Sequence, residues 1–133
     1  MPFVIQDYFN YRAVQMFPQR DSFSAVLAAY YESAIVNGGS YDVGQELPGI
    51  LKATGFRVEF MKPFCRIARP GSNGWRWFKM FSDNYIPRLV EQGLLPAETH
   101  RQFESDFAAA SQDSTSFFFT PPMIGIVAFR DEA

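Results

Sequence analysis

The chain has 133 residues, a formal net charge of −2, 47% hydrophobic and 20% charged residues. That is one ordinary domain's worth of chain, too apolar to stay disordered and too mildly acidic to recruit nucleic acid through bulk charge. It has no apolar run of the ~18 residues that a membrane span requires. One cysteine (Cys65) and one histidine (His100) exclude an internal disulfide and a thiol- or imidazole-rich metal centre. The N-terminus has no basic segment leading into an apolar one, so no signal peptide is read and a cytoplasmic location is expected. Aromatic residues are in excess, with 15 Phe, 6 Tyr and 2 Trp.

In chain order, Phe3-Val4-Ile5-Gln6-Asp7-Tyr8-Phe9 reads as a strand whose uniformly apolar first half suits burial on both faces. Asp21 or Ser22 is placed to cap a helix carrying Phe23, Val26, Leu27, Tyr30, Tyr31, Ala34 and Ile35 on one stripe. Gly38-Gly39 stops it. A shorter helix spans about 43–54, with Pro48 in its first turn and Leu47, Ile50 and Leu51 inward. Phe56-Arg57-Val58-Glu59-Phe60 alternates, which puts Phe56, Val58 and Phe60 on one face of a strand that Pro63 interrupts. Residues 64–69 continue extended on an edge or past a bulge. Residues 75–92 are helical in pattern, with a kink or break expected at Pro87. Pro96 opens a further helix with Phe103, Phe107 and Ala110 on one face. Residues 123–129 form an apolar run that reads as a buried central strand. Strands alternating with helices indicate an α/β arrangement, with the first two strands parallel.

Enzyme templates are missing. There is no G-x-S-x-G elbow, Walker A loop or G-x-G-x-x-G, and the glycine clusters at 37–40 and 71–74 read as turns.

A set of short motifs nevertheless has a familiar order. It begins with the apolar strand closing in Gln6-Asp7-Tyr8-Phe9, then Leu47-Pro48 and Gly55-Phe56. Arg69-Pro70-Gly71, Trp75-Arg76-Trp77, Pro87-Arg88-Leu89 and Phe117-Phe118-Phe119 before Pro121-Pro122-Met123 follow. Along essentially its whole length the chain resembles the C-terminal half of class I S-adenosylmethionine-dependent methyltransferases acting on small molecules. The resemblance implies a partial Rossmann-like sheet. Residues 3–9, 56–62 and 123–130 would be its last three strands, the final one antiparallel between the other two, with flanking helices. The whole chain would form a single domain, with a helical insertion at about 73–116 over a substrate pocket. The family's glycine-rich loop and ribose-binding acid lie in its first half, so no residue here is assigned to cofactor binding. S-adenosylmethionine is implied for the complete family fold and not for this chain alone, and no metal is expected.

Asp7, Tyr8 and Tyr11 lie where the first strand runs out at its carboxyl end, the edge at which ligands gather in open α/β sheets. They are substrate-pocket candidates, with Asp7 orienting or deprotonating an acceptor, or else they cap and pack. Trp75 and Phe118 are the other pocket candidates, with core packing the alternative. Arg66, Arg69, Arg76 and Lys79, interleaved with Trp75, Trp77 and Phe78, read as a nucleic-acid or membrane contact or as a solvated face. His100 reads as a surface or satisfied histidine and Cys65 as a buried inert thiol, and no catalytic base is identified. Two functions stand open: the substrate-side half of a small-molecule methyltransferase, inactive alone, or a dimeric binding module without catalysis. The expected partners are a second copy, through strand 3–9 or swapped helices, or the missing N-terminal half of the fold.

Overall fold

The computed structural model describes residues 1–132 and is a mixed α/β structure with four α-helices and two three-stranded sheets. It packs as two compact units. Residues 1–13, 40–65 and the C-terminal stretch from Pro121 form the first. Val14–Gly39 and Arg66–Thr120 form the second.

The first unit is built on β1 (Pro2–Tyr8), β3 (Phe56–Phe64) and β6 (Met123–Arg130), in the order β1-β6-β3. Both pairings are antiparallel, so β1 and β3 run parallel to each other on either side of the last strand. Ile126 lies opposite Ile5 on one side and Met61 on the other. Helix α2 (Leu47–Ala53) covers one face, packing Leu47 and Leu51 against Ile126 and Ala128, with Ile5, Phe56, Val58 and Ile124 around them. Pro48 falls in its first turn, where a missing N–H leaves no bond unmade. Ile50, expected inward, is exposed.

Three further expectations for this sheet fail for identifiable reasons. A register shift between Val58 and Phe60 leaves Glu59 as an extra residue, the signature of a β-bulge. Phe56 and Val58 therefore join the core under α2, while Phe60 pairs with Val127 on the opposite face and is 53% exposed. The period-two pattern of residues 56–60 is real, but the bulge splits it between faces. Strand β1 is likewise not buried on both faces: it is an edge strand, and Val4 is 67% exposed. Pro63 does not end β3, because an edge strand tolerates a residue that cannot donate to a ladder.

The second unit contains α1 (Asp21–Val36), α3 (Asn73–Glu91), α4 (Ala97–Gln112) and a small sheet of β2 (Met16–Phe17), β5 (Phe117–Phe119) and β4 (Ile67–Ala68) in the order β2-β5-β4. The sequence does not announce this sheet, since strands of two or three residues carry no periodicity. Phe118 at its centre is fully buried, with ring centroids of Phe78, Trp75 and Phe23 at 5.1, 5.3 and 6.0 Å. Phe103 and Phe107 of α4 extend the cluster. Much of the aromatic excess is thus spent as core. Helix α3 runs unbroken through Pro87, with buried Ile86 and Leu89 on either side holding the turn in place. Ser72 caps α3, its hydroxyl accepting from the Trp75 N–H at 3.3 Å. In α1 the N-cap position is Arg20, and the Ser22 hydroxyl is committed elsewhere, donating to Asp106 Oδ2 at 2.5 Å.

Candidate functional site

The carboxyl ends of β1 and β3 meet the start of β6, because Tyr8 and Phe64 are both register partners of Met123. At this end of the sheet the chain leaves β1 into a 3-10 turn (Tyr11–Ala13), and residues 40–46, including a second 3-10 turn (Val43–Gln45), close over it. Gln45 donates to the Phe9 carbonyl at 2.6 Å, and Asp42 Oδ1 accepts the Tyr11 N–H at 3.0 Å. Gly44 lies so close to the strand that a Cβ there would be 2.6 Å from the Tyr8 carbonyl oxygen. No larger residue fits without moving backbone.

The clamp gathers three phenol rings. Tyr11 stacks on Tyr41 at 4.4 Å, and Tyr8 meets Tyr11 edge-on at 5.3 Å. Tyr11 is buried, whereas Tyr8, Tyr41, Asp7 and Asp42 are half-buried. Asp7 Oδ1 accepts the Tyr8 N–H at 2.7 Å, which fixes the carboxylate beside the turn. Burial, and secondarily the Asp7 charge, push the Tyr8 phenol above its ordinary value. At neutral pH that phenol is therefore a proton-bearing hydrogen-bond donor. Asp7, Tyr8 and Tyr11 are thus brought together as one cluster. Tyr41 and Asp42 complete it, and no spacing signal links them to residues some thirty positions earlier.

Trp75 and Phe118 belong to the second unit, where their rings are 5.3 Å apart in the aromatic core. The Trp75 indole N–H donates to Ser111 Oγ at 3.0 Å. Of the interleaved cations, Lys79 is paired with Asp83, Arg76 bonds the neutral Asn73 Oδ1 at 2.8 Å, and Arg69 reaches the Ser114 carbonyl at 3.4 Å. Exposed Trp77 stacks on Phe81. His100 faces Glu104 at 3.2 Å on α4. Cys65, expected to be buried, is exposed at the end of β3, where the chain passes between units. Among the described residues no group of three or more His, Cys, Asp and Glu is placed to hold a metal, and no helix is long and apolar enough to cross a membrane.

Gly38, Gly55 and Gly93, with positive φ, follow the carboxyl ends of α1, α2 and α3, and Gly71 lies in the turn before α3. None follows a strand of the larger sheet with the G-x-G-x-x-G spacing. The sequence matches no family model and no curated protein.

Proposed function

We propose that this chain is the substrate-side, C-terminal half of an S-adenosylmethionine-dependent methyltransferase fold acting on a small molecule, and that it is inactive until a glycine-rich half completes the sheet. The observation that carries this is the strand order β1-β6-β3, with the last strand antiparallel between two parallel ones. A final strand returning to the middle of its sheet is what the Rossmann-like methyltransferase arrangement calls for. The helices α3 and α4, inserted between β3 and β6, lie where that fold carries an insertion. Asp7, Tyr8 and Tyr11 sit at the carboxyl end of β1, the position from which substrate is approached in open sheets. In this role Asp7 orients or deprotonates the methyl acceptor and neutral Tyr8 donates a hydrogen bond to it. The setting is the cytoplasm.

The test is fusion of the chain behind the glycine-rich half of a small-molecule class I methyltransferase. Labelled S-adenosylmethionine is then supplied with a panel of phenol, amine and carboxylate acceptors. Methyl transfer by the fusion, and its loss with Asp7→Asn, is the expected result. A folded fusion that binds the cofactor but methylates nothing contradicts the proposal.

A second function, a dimeric module without catalysis, is favoured by the unequal edges of the larger sheet. Strand β3 is protected by a bulge, Pro63, Arg57, Glu59 and Lys62, the usual devices against unwanted pairing. Strand β1 has a single charge, Asp7, and among the described residues no strand pairs with its outer edge. Such an edge suits strand addition by a second copy. Sedimentation as a monomer at high concentration contradicts this alternative.

A further inference from the structure

The basic and aromatic residues at 69–80 do more than solvate a helix. Between α3 and α4 lies a groove of about 260 Å³ lined by Gly71, Trp75, Arg76, Met80, Phe107 and Ser111, with Lys79 at its edge. Its apolar part rests on Trp75 and Phe107, which are buried and stacked at 5.0 Å with their planes 29° apart. The polar atoms of this floor are already satisfied. The Trp75 indole donates to Ser111 Oγ, and the Ser111 hydroxyl donates to the Phe107 carbonyl at 2.7 Å. A ligand there meets apolar surface, the edges of these two rings beside exposed Met80, and has no buried polar group to outcompete.

The rim has the opposite character. The Arg76 guanidinium donates to the neutral Asn73 Oδ1, and Lys79 is paired with Asp83. A second cavity of about 350 Å³ shares Ser111 with the first and is lined by Arg69, Pro70, Gln112 and Ser114. Arg69 there contacts a backbone carbonyl. Among the described residues, no carboxylate lines either cavity. The Arg76 guanidinium thus borders the groove over Trp75 and Phe107, and Arg69 lines the adjoining cavity that shares Ser111, an arrangement complementary to an apolar body bearing an anion. The volume of the first cavity lies just below the roughly 300–1,000 Å³ of drug-sized sites, which restricts the ligand to one or two rings.

We infer that this groove binds a small aromatic carboxylate, its ring against Trp75, Phe107 and Met80 and its carboxylate at Arg76 and Arg69. The site is independent of the methyltransferase proposal, since it lies wholly within the second unit.

The experiment is titration of the ¹⁵N-labelled chain with sodium 2-naphthoate, followed by amide shifts, with neutral 2-naphthylmethanol as the control. Saturable shifts confined to residues around Gly71, Trp75, Arg76, Met80, Phe107 and Ser111 are expected. The neutral control and the Arg69→Gln/Arg76→Gln variant should each bind about tenfold more weakly, the scale of a lost charge-assisted contact. Both arginines are exposed, so the variant keeps its fold. Shifts that fail to saturate, that map instead to exposed Val4, Phe60 and Phe64, or that are equal for the variant overturn the inference.

Discussion

Phe64 lays its ring over Gly125: a Cβ added at Gly125 would come within 2.6 Å of Phe64 Cε2. Gly125 is central in β6, where a glycine otherwise weakens a strand, so its absence of a side chain is matched to the ring that crosses it. Phe64 is 44% exposed, and the clashing atom is the far end of a movable side chain. Gly125→Ala is therefore expected to cost only about 1–2 kcal/mol, the ring swinging aside. In a Phe64→Ala background the same substitution should cost close to nothing. Urea unfolding of the four proteins in the cycle measures the coupling, and equal costs in both backgrounds would refute the contact.

Gly44 is the stricter case. A Cβ there meets the Tyr8 carbonyl oxygen at 2.6 Å, Phe9 Cβ at 2.9 Å and Ile124 Cγ2 at 3.0 Å. The Tyr8 carbonyl oxygen is backbone and Phe9 Cβ is bonded directly to the main chain, so neither swings away. Gly44→Ala should cost about 3 kcal/mol or more and disturb the tyrosine cluster. Near-ultraviolet circular dichroism and thermal unfolding check both. A substitution no costlier than Gly125→Ala would show that residues 40–46 do not clamp β1.

In the second unit, buried Tyr30 donates its hydroxyl to buried Ser82 at 3.0 Å, tying α1 to α3. Removing one member takes this bond away from a buried hydroxyl. Tyr30→Phe and Ser82→Ala should each cost about 1–2 kcal/mol, and the pair together less than the sum. Full additivity in denaturant unfolding would contradict the bond.

The Tyr8 phenol supplies a pH dependence. Its pKa is raised from 10.0 by burial first and the Asp7 charge second, so the fold favours the protonated form. The resulting stability is fully present below the unfolded-state value near pH 10 and is lost as pH rises through the folded-state value. NMR titration of the tyrosine ring carbons should find Tyr8 ionising above its ordinary value. Asp7→Asn should lower it only partly, because burial remains. A Tyr8 that titrates normally would mean that the cluster is open to water.

The parts of the fold that the sequence disclosed are those with a repeating signal. Phe23, Val26, Leu27 and Tyr30 at helical spacing marked α1, and the apolar run at 123–129 marked the central strand. The sheet of Met16, Ile67 and Phe118 was illegible because its strands are too short to show a period. One inserted residue, Glu59, was enough to send Phe60 to the face opposite Val58, since strand periodicity has no memory across a bulge. At the candidate site, Asp7, Tyr8 and Tyr11 were marked by the end of a strand. Tyr41 and Asp42 reach them only through chain folding that Gly44 permits, and a close approach of that kind leaves no local pattern.

The central proposal is that this chain supplies the substrate side of a methyltransferase fold and depends on another half for cofactor binding. Isothermal titration of S-adenosylmethionine into the purified 133-residue chain tests it most directly. Under this proposal no saturable heat is expected, because the glycine-rich loop and the ribose-binding acid would be supplied by the other half of the fold. Stoichiometric binding with a micromolar Kd would contradict the account.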